Sequence, residues 1–254
     1  KILFKGNENF SDFRLRWQLK ETKQQPFYMF WRSTFNNSSF KEDIELLSTF
    51  YRNKGYRDFE ILNDTIAYSE NLKKMDIMLT ISEGEKYSYR NFSWEGMSLF
   101  NEEDLQNTLA LEKGDHFSDE EFNLALYSRV QGLYLDRGYI YSRIEPQITP
   151  FGPDSLDIHF IVTENHKVYI NNIIVQGNTR TRENVIRRQL RIFPGDVYNQ
   201  ERIARSYREI MMLNFLLMQH LIYSQFLMIK LMSNLILKKN RQGKLVLIWD
   251  ILNI

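Results

Sequence analysis

The feature that most constrains this chain is an internal echo at a fixed distance. Gly96 closes Tyr89-Arg90-Asn91-Phe92-Ser93-Trp94-Glu95, and Gly177 closes Ile173-Ile174-Val175-Gln176; the two glycines lie 81 positions apart. Gly114-Asp115 and Gly195-Asp196 repeat at the same 81, each followed two positions on by an aromatic, Phe117 or Tyr198. Asp76 to Glu83 returns as Asp157 to Glu164, again at 81. Three signals on one spacing imply copies of a single supersecondary unit set in tandem. A chain of 254 residues has room for about three of them.

Within one copy the periodicity switches in a definite order. A strand ending in glycine leads into a helix from Glu102 to Leu111, with Leu105, Leu109 and Leu111 mostly on one side. Gly114 marks a turn, and Ser118 followed by Glu120 and Glu121 marks an N-cap with acids in the first turn, where the helix dipole favours them. The second helix carries Phe122, Leu126, Val130, Leu133 and Tyr134 and stops at Gly138-Tyr139, the counterpart of Gly55-Tyr56. Two strands follow, Ile140 to Thr149 and Leu156 to Glu164, about a turn at Pro150-Phe151-Gly152-Pro153-Asp154. The order β-α-α-β-β predicts an α+β fold class, with a mixed three-stranded sheet covered by two helices in each repeat.

The repeats are expected at 1–85, 86–165 and 166–254. The first contains an insertion: Gly6 and Gly96 are 90 apart, and the excess falls around Pro26 to Phe35, which holds Phe27, Tyr28, Phe30, Trp31 and Phe35. Those rings either pack the helix connection onto the sheet or form an exposed partner-binding patch. The chain opens at Lys1 without a methionine and already reads as a strand, which suits an internal fragment.

Composition removes several classes of chemistry. Lys and Arg number 33 against 32 Asp and Glu, so no overall field attracts a polyanion. Without cysteine there is no disulfide, thiolate metal site or Cys nucleophile. His116, His159, His166 and His220 are scattered, with no HExxH spacing, and no phosphate-cradling glycine loop or nucleophile elbow is present. Neither catalytic residues, a metal nor a cofactor is expected. The acids at Glu102-Glu103-Asp104 and Asp119-Glu120-Glu121 stand at helix starts, where dipole stabilisation accounts for them.

Three phrases carry a family resemblance: Glu83-Gly84-Glu85-Lys86-Tyr87, Arg90 to Gly96, and Ile173-Ile174-Val175-Gln176-Gly177-Asn178-Thr179 to Arg182. The third repeat adds Val185-Ile186-Arg187-Arg188-Gln189-Leu190, Gly195-Asp196-Val197-Tyr198-Asn199 and Arg202-Ile203-Ala204-Arg205-Ser206. The chain resembles tandem POTRA domains of the BamA family of outer-membrane β-barrel assembly factors, over residues 1 to about 215, its third unit resembling the domain next to the barrel. The resemblance implies a periplasmic module, without catalytic residues, that binds unfolded outer-membrane proteins, docks assembly-machinery lipoproteins, and reaches the outer membrane through a C-terminal β-barrel. The implied mechanism is strand addition to an open sheet edge through main-chain hydrogen bonds. In this sequence the second strands map to Phe59–Tyr68 and Ile140–Ile148. Phe59, Ile61, Asn63, Thr65 and Ala67, with Ile140, Ser142, Ile144 and Ile148, are therefore the expected client-binding residues, unless neighbouring units or polar side chains shield those edges. Arg180, Arg182, Arg187, Arg188 and Arg191 form a basic cluster, read either as a solvated helix face or as a partner-docking surface. The same domain type in a secretion or translocation pore is the alternative; an RNA-binding α/β module lacks the basic balance and the GXXG-like loop.

From Asn214-Phe215 onward the pattern breaks. Leu216 to Leu237 is rich in Leu, Ile and Met and has no acid. A membrane helix over Leu213 to Leu237 is long enough, but Lys230, His220, Gln219 and Gln225 argue against one. Ordinary soluble structure is a second possibility. A third is a shifted reading frame: allowed codons for Leu217 to Val246, read one base earlier, can encode a segment containing VDVEFDFEE, the alternating strand that the third repeat lacks. An irregular or aberrant tail is expected on that reading, without the packing of the first two repeats.

Overall fold

The structure, a computed structural model, describes residues 1–22, 36–68, 75–176, 182–217, 235–239 and 245–250. They fall into two compact units. The first comprises Lys1–Glu95, Glu102–Leu126 and Glu145–Ile161; the second comprises Gly96–Asn101, Tyr127–Ile144 and Val162–Ile254. The middle repeat contributes to both.

Three strands recur three times. In the first set, β1 (Ile2–Lys5), β2 (Glu60–Tyr68) and β3 (Met75–Ser82) form a sheet ordered β1-β3-β2. β3 runs parallel to β1 and antiparallel to β2, so the last strand of the repeat is central. β4 (Ser88–Glu95), β5 (Arg143–Phe151) and β6 (Ser155–Thr163) give β4-β6-β5, and β7 (Ile170–Gln176), β8 (Leu235–Lys239) and β9 (Leu245–Asp250) give β7-β9-β8. A parallel pair needs a crossover, which the two intervening helices supply. The mixed sheet and the β-α-α-β-β order are as the sequence predicts.

In the first repeat the helices are α1 (Asp12–Gln18) and α2 (Asn37–Arg52). The Ser11 hydroxyl accepts the Arg14 amide and the Asn36 side chain accepts that of Ser38, capping donors left over at the two N-termini. Leu15 and Leu19 meet Phe40, Leu47 and Tyr51 over the Ile77, Leu79 and Ile81 stripe of β3. Between α1 and the insertion, the buried Asp43 carboxylate accepts the amides of Lys20 at 2.7 Å and Thr22 at 2.6 Å, with Glu21 alongside. The aromatic insertion falls at 23–35, outside the described residues.

In the second repeat α3 (Glu102–Leu109) stops two residues short of the expected Leu111, because Ala110 takes φ +51° and turns the chain. The expected single second helix is α4 (Asp119–Asn123), a π-helical segment at Leu124–Val130, and α5 (Gln131–Asp136). Phe122, Leu126, Val130 and Tyr134 are all buried and recur every four residues. A 3.6-residue turn would carry that series off the core by about 40° each turn, and the wider π turns remove the drift. The strand expected from Ile140 begins at Arg143, since the Ser142 amide bonds back to the Tyr139 carbonyl and prolongs the turn after Gly138. Aromatic packing holds the first unit's share of this repeat: Trp94 stacks on Phe160 at 4.1 Å between centroids, and Phe122 stacks on Phe160 at 6.2 Å.

The third repeat supplies α6 (Glu183–Arg187) and α7 (Gln200–Leu217), the latter capped by Asn199, which accepts the Arg202 amide at 2.7 Å. Val168, Ile170, Ile173, Ile186, Leu190 and Tyr198 centre its core. Its sheet is more regular than the break at 215 led one to expect. β8 and β9 pair antiparallel and β9 lies parallel to β7, the arrangement of the first sheet. The aliphatic runs at 235–239 and 245–250 have strand propensity enough for this pairing. The side chains there, and residues 218–234 of the candidate membrane helix, lie outside the described residues. No helix among the described residues is long and apolar enough to cross a membrane.

Candidate functional site

Strand addition needs backbone donors and acceptors that the sheet itself leaves unused, so the outer edges decide what each repeat can bind. In the second and third repeats the edge of the first strand is partly occupied by its own chain. The Gly114 amide donates to the Tyr89 carbonyl at 2.7 Å and the Tyr89 amide to Asp115 at 2.9 Å; Gly195, Ile170 and Asp196 reproduce both bonds, at 2.7 and 2.8 Å. Gly114 and Gly195 have φ +93° and +95°, which lets the chain fold back onto the strand. The repeated Gly-Asp pair thus cements the turn that lines β4 and β7.

β2 is different. It pairs with β3 alone among the described residues, and seven of its nine residues are exposed. Only Ile61 and Ile66 reach the core. A bulge lies between Ile61 and Asn63; beyond it Asn63 to Tyr68 pair in unbroken register with Thr80 to Met75. Leu62 and Tyr68 are large apolar side chains left 62% and 59% exposed beside that edge.

The expected client-binding residues separate in three dimensions. Phe59 does not belong to the edge: it is 3% exposed and stacks on Tyr51 at 4.1 Å, ahead of β2. Ile61 faces the core, whereas Asn63, Thr65 and Ala67 are exposed, because the bulge at Leu62 reverses the alternation that would have put all four on one face. Asn63 donates to Thr65 Oγ1 at 3.3 Å along the surface. Ile140 precedes β5 and packs with Leu135 against the third repeat's core. Ser142 is buried, donating to the Tyr139 carbonyl at 2.7 Å and accepting from Gln131. Ile144 is buried within β5, and Ile148 is half-buried there.

The basic cluster is likewise divided. Arg180 lies outside the described residues. Arg187 pairs with Glu183 at 2.6 Å and donates to the Ile173 carbonyl, and Arg191 pairs with Glu209 at 3.1 Å. Arg182, the N-cap residue of α6, and Arg188, its C-cap residue, are exposed and make no ion pair among the described residues. Of the histidines, His116 contacts Ser88 Oγ at 3.1 Å, and His159 lies between Ser93 and Glu95. No group of three His, Asp or Glu among the described residues is placed to hold a metal ion.

Sequence reasoning missed two devices that position these edges. The first is a carboxylate clamp. Glu83 accepts the Asn9 amide at 2.9 Å and the Tyr51 hydroxyl at 2.8 Å; Glu164 accepts the amides of Ser98 and Leu99, both at 2.8 Å, and the Tyr134 hydroxyl at 3.4 Å. Burial pushes the Glu164 carboxyl up, but the Ser98 and Leu99 bonds outweigh it and hold it below its ordinary value. The second is a joint between consecutive repeats. Asn53 Oδ1 accepts the Glu120 amide at 2.9 Å, and Asp136 Oδ1 accepts the Glu201 amide at 2.8 Å, so each repeat caps a helix of the next. Beside them the Gly55 carbonyl accepts the Tyr87 amide and the Gly138 carbonyl that of Val168, both at 2.9 Å. Both glutamates lie in the phrases repeated at 81, so that spacing was the signal that could have found the clamp; the Gly-Tyr pairs, 83 apart, recur only as counterparts at the ends of the second helices.

Comparison with known proteins agrees with this architecture. The POTRA family profile (surface antigen variable number repeat) matches residues 1–84, 87–165 and 168–216. The outer membrane protein assembly factor BamA of Neisseria meningitidis serogroup B is 30% identical over 218 residues, 84% of this chain and 27% of that protein. BamA of Neorickettsia risticii is 26% identical over 224 residues, 84% of this chain and 29% of that protein. The chain thus spans a little over a quarter of these relatives. A crystal structure of POTRA domains 3–5 of Haemophilus influenzae BamA superposes with a TM-score of 0.70 at 18% identity, covering 97% of this chain and 92% of that one, and shares its fold. With its thrice-used strand order and the profile matching in each third of the chain, this polypeptide belongs to the POTRA family, as the periplasmic repeats of a BamA-type outer-membrane protein.

Proposed function

We propose that this chain is the client-handling segment of an outer-membrane β-barrel assembly factor, and that it holds unfolded outer-membrane proteins by strand addition. The observation that carries this reading is the run Asn63 to Tyr68, six residues of edge strand in unbroken register, free of proline and exposed at every position but Ile66. A client strand pairing there gains main-chain hydrogen bonds whatever its side chains, which suits a partner set sharing alternation rather than sequence. Leu62 and Tyr68 add apolar surface for the alternate residues of the client. The repeats at 1–85, 86–165 and 166–254 are the working modules in this reading. Arg182 and Arg188 are the exposed cations of the third module that an acidic face of an accessory lipoprotein would meet, with Arg187 and Arg191 held in position by their own glutamates.

The test is proline scanning at both parities of the edge. Asp64→Pro and Thr65→Pro remove adjacent amides, of which one points to β3 and the other outward. The variant that keeps the parent's circular dichroism and thermal midpoint has lost only the outward donor. It should bind a urea-unfolded outer-membrane β-barrel polypeptide at least tenfold more weakly, whereas parental affinity in that folded variant contradicts strand addition at β2.

A further inference from the structure

Resting on that reading, we propose that Pro146 and Pro150 close the β5 edge to client strands, so that the equivalent edges of the first and second repeats are not interchangeable and β2 is the receptive one. Both prolines lie inside β5, four residues apart. Side chains and amides alternate with the same period of two along a strand, so positions 146 and 150 direct their nitrogens to the same side. A proline turned toward the neighbouring strand would delete a ladder bond, and two would delete two; prolines within sheets accordingly sit on edges with the nitrogen facing away from the partner. Among the described residues β5 is an edge strand bonded to β6 alone. The outward amide row then runs through Ile144, Pro146, Ile148 and Pro150, and every second member lacks a hydrogen. An incoming strand would find two donors there separated by ring carbons that stand in its path.

This is the device by which natural sheets blunt an edge, and β2 lacks it: no proline occurs between Glu60 and Tyr68. The first-strand edges β4 and β7 are lined at their starts by the Gly-Asp turns. The occupant that fits β2 is therefore a single extended segment of alternating apolar and polar residues, about six residues long, the length of unbroken register after the bulge.

Hydrogen exchange on the full chain tests this directly. The probe is a synthetic peptide copied from one transmembrane strand of an outer-membrane β-barrel, added at increasing concentration. Amides in Asn63 to Tyr68 should gain at least fivefold protection while those of β5 do not change, and Pro146→Val with Pro150→Val should extend the protection to β5. Equal protection of β2 and β5 in the parent overturns the inference and leaves strand addition standing. A double variant that keeps the parent's circular dichroism yet leaves β5 unprotected also overturns it. Protection at neither edge overturns both the inference and the reading beneath it. Should the double variant misfold, Pro150→Val alone, at the loop-proximal end of β5, carries the same comparison.

Discussion

The Tyr51 hydroxyl reaches across the first repeat to donate to Glu83 Oε1 at 2.8 Å, joining the second helix to the end of the central strand. Tyr134 and Glu164 repeat the arrangement at 3.4 Å. Burial, then the charge and hydrogen bond of the neighbouring carboxylate, raises both phenols well above their ordinary range, so each stays protonated and remains a donor. Tyr51→Phe should cost about 1.5–3 kcal/mol, as expected for one bond to a charged acceptor. Tyr134→Phe should cost less, because its bond is longer. Urea unfolding of the two variants compares them; an equal or reversed order would contradict the clamp.

Asp43 ties the end of the first helix to the second. Its burial pushes the carboxyl up, but the amides of Thr22, Lys20 and Glu21 bind the anion and bring the net value below 3.8. A depressed folded pKa contributes stability that is complete above the unfolded value and is lost as pH falls through the folded one. The parent should therefore lose part of its stability below about pH 4. Asp43→Ala should lower it by about 3 kcal/mol at neutral pH, with a flatter acid limb. Thermal midpoints from pH 7 to pH 2.5 give the comparison.

The glycines of the repeat are not equivalent. Gly96 has φ +82°, and an added Cβ would lie inside van der Waals contact with the Val162 carbonyl oxygen; Gly6 stands the same way against Ile81. Gly114 has φ +93° with none of the described residues near its Cβ position. Gly114→Ala should cost only the left-handed backbone, about 1–2 kcal/mol. Gly96→Ala adds a clash with main chain and should cost about 3 kcal/mol or more. Denaturation midpoints in the opposite order would refute the close approach of strand end to carbonyl.

At the joints, Asn53→Ala and Asp136→Ala each uncover one helix amide. The amides of Glu120 and Glu201, respectively, should exchange about tenfold faster, a loss of about 1.4 kcal/mol, while those of the strand cores do not change. Unchanged exchange at both would mean that the caps do not hold the joints.

Much of this architecture is legible in the spacing. Gly96, Gly114 and Glu164 mark a strand end, a turn and a clamp, because each is required by a backbone angle or a buried bond that recurs with the module. The edges were harder to read. The bulge at Leu62 depends on how β2 meets β3, so alternation alone put Ile61 and Asn63 on one face. Phe59 and Ser142 sit beside the strands in sequence, but a ring stack on Tyr51 and a turn bond to Tyr139 draw them inward. The arginines looked like one cluster because their acid partners are local in one case, Glu183, and distant in the other, Glu209.

Cross-strand nuclear Overhauser effects between an isotope-labelled β-barrel strand peptide and the chain probe the central claim most directly. The account predicts backbone contacts from the peptide to Asn63 through Tyr68, in a regular two-residue pattern that extends the sheet ordered β1-β3-β2 by one strand. Contacts confined to side chains of the helices, with none along the β2 backbone, would contradict it.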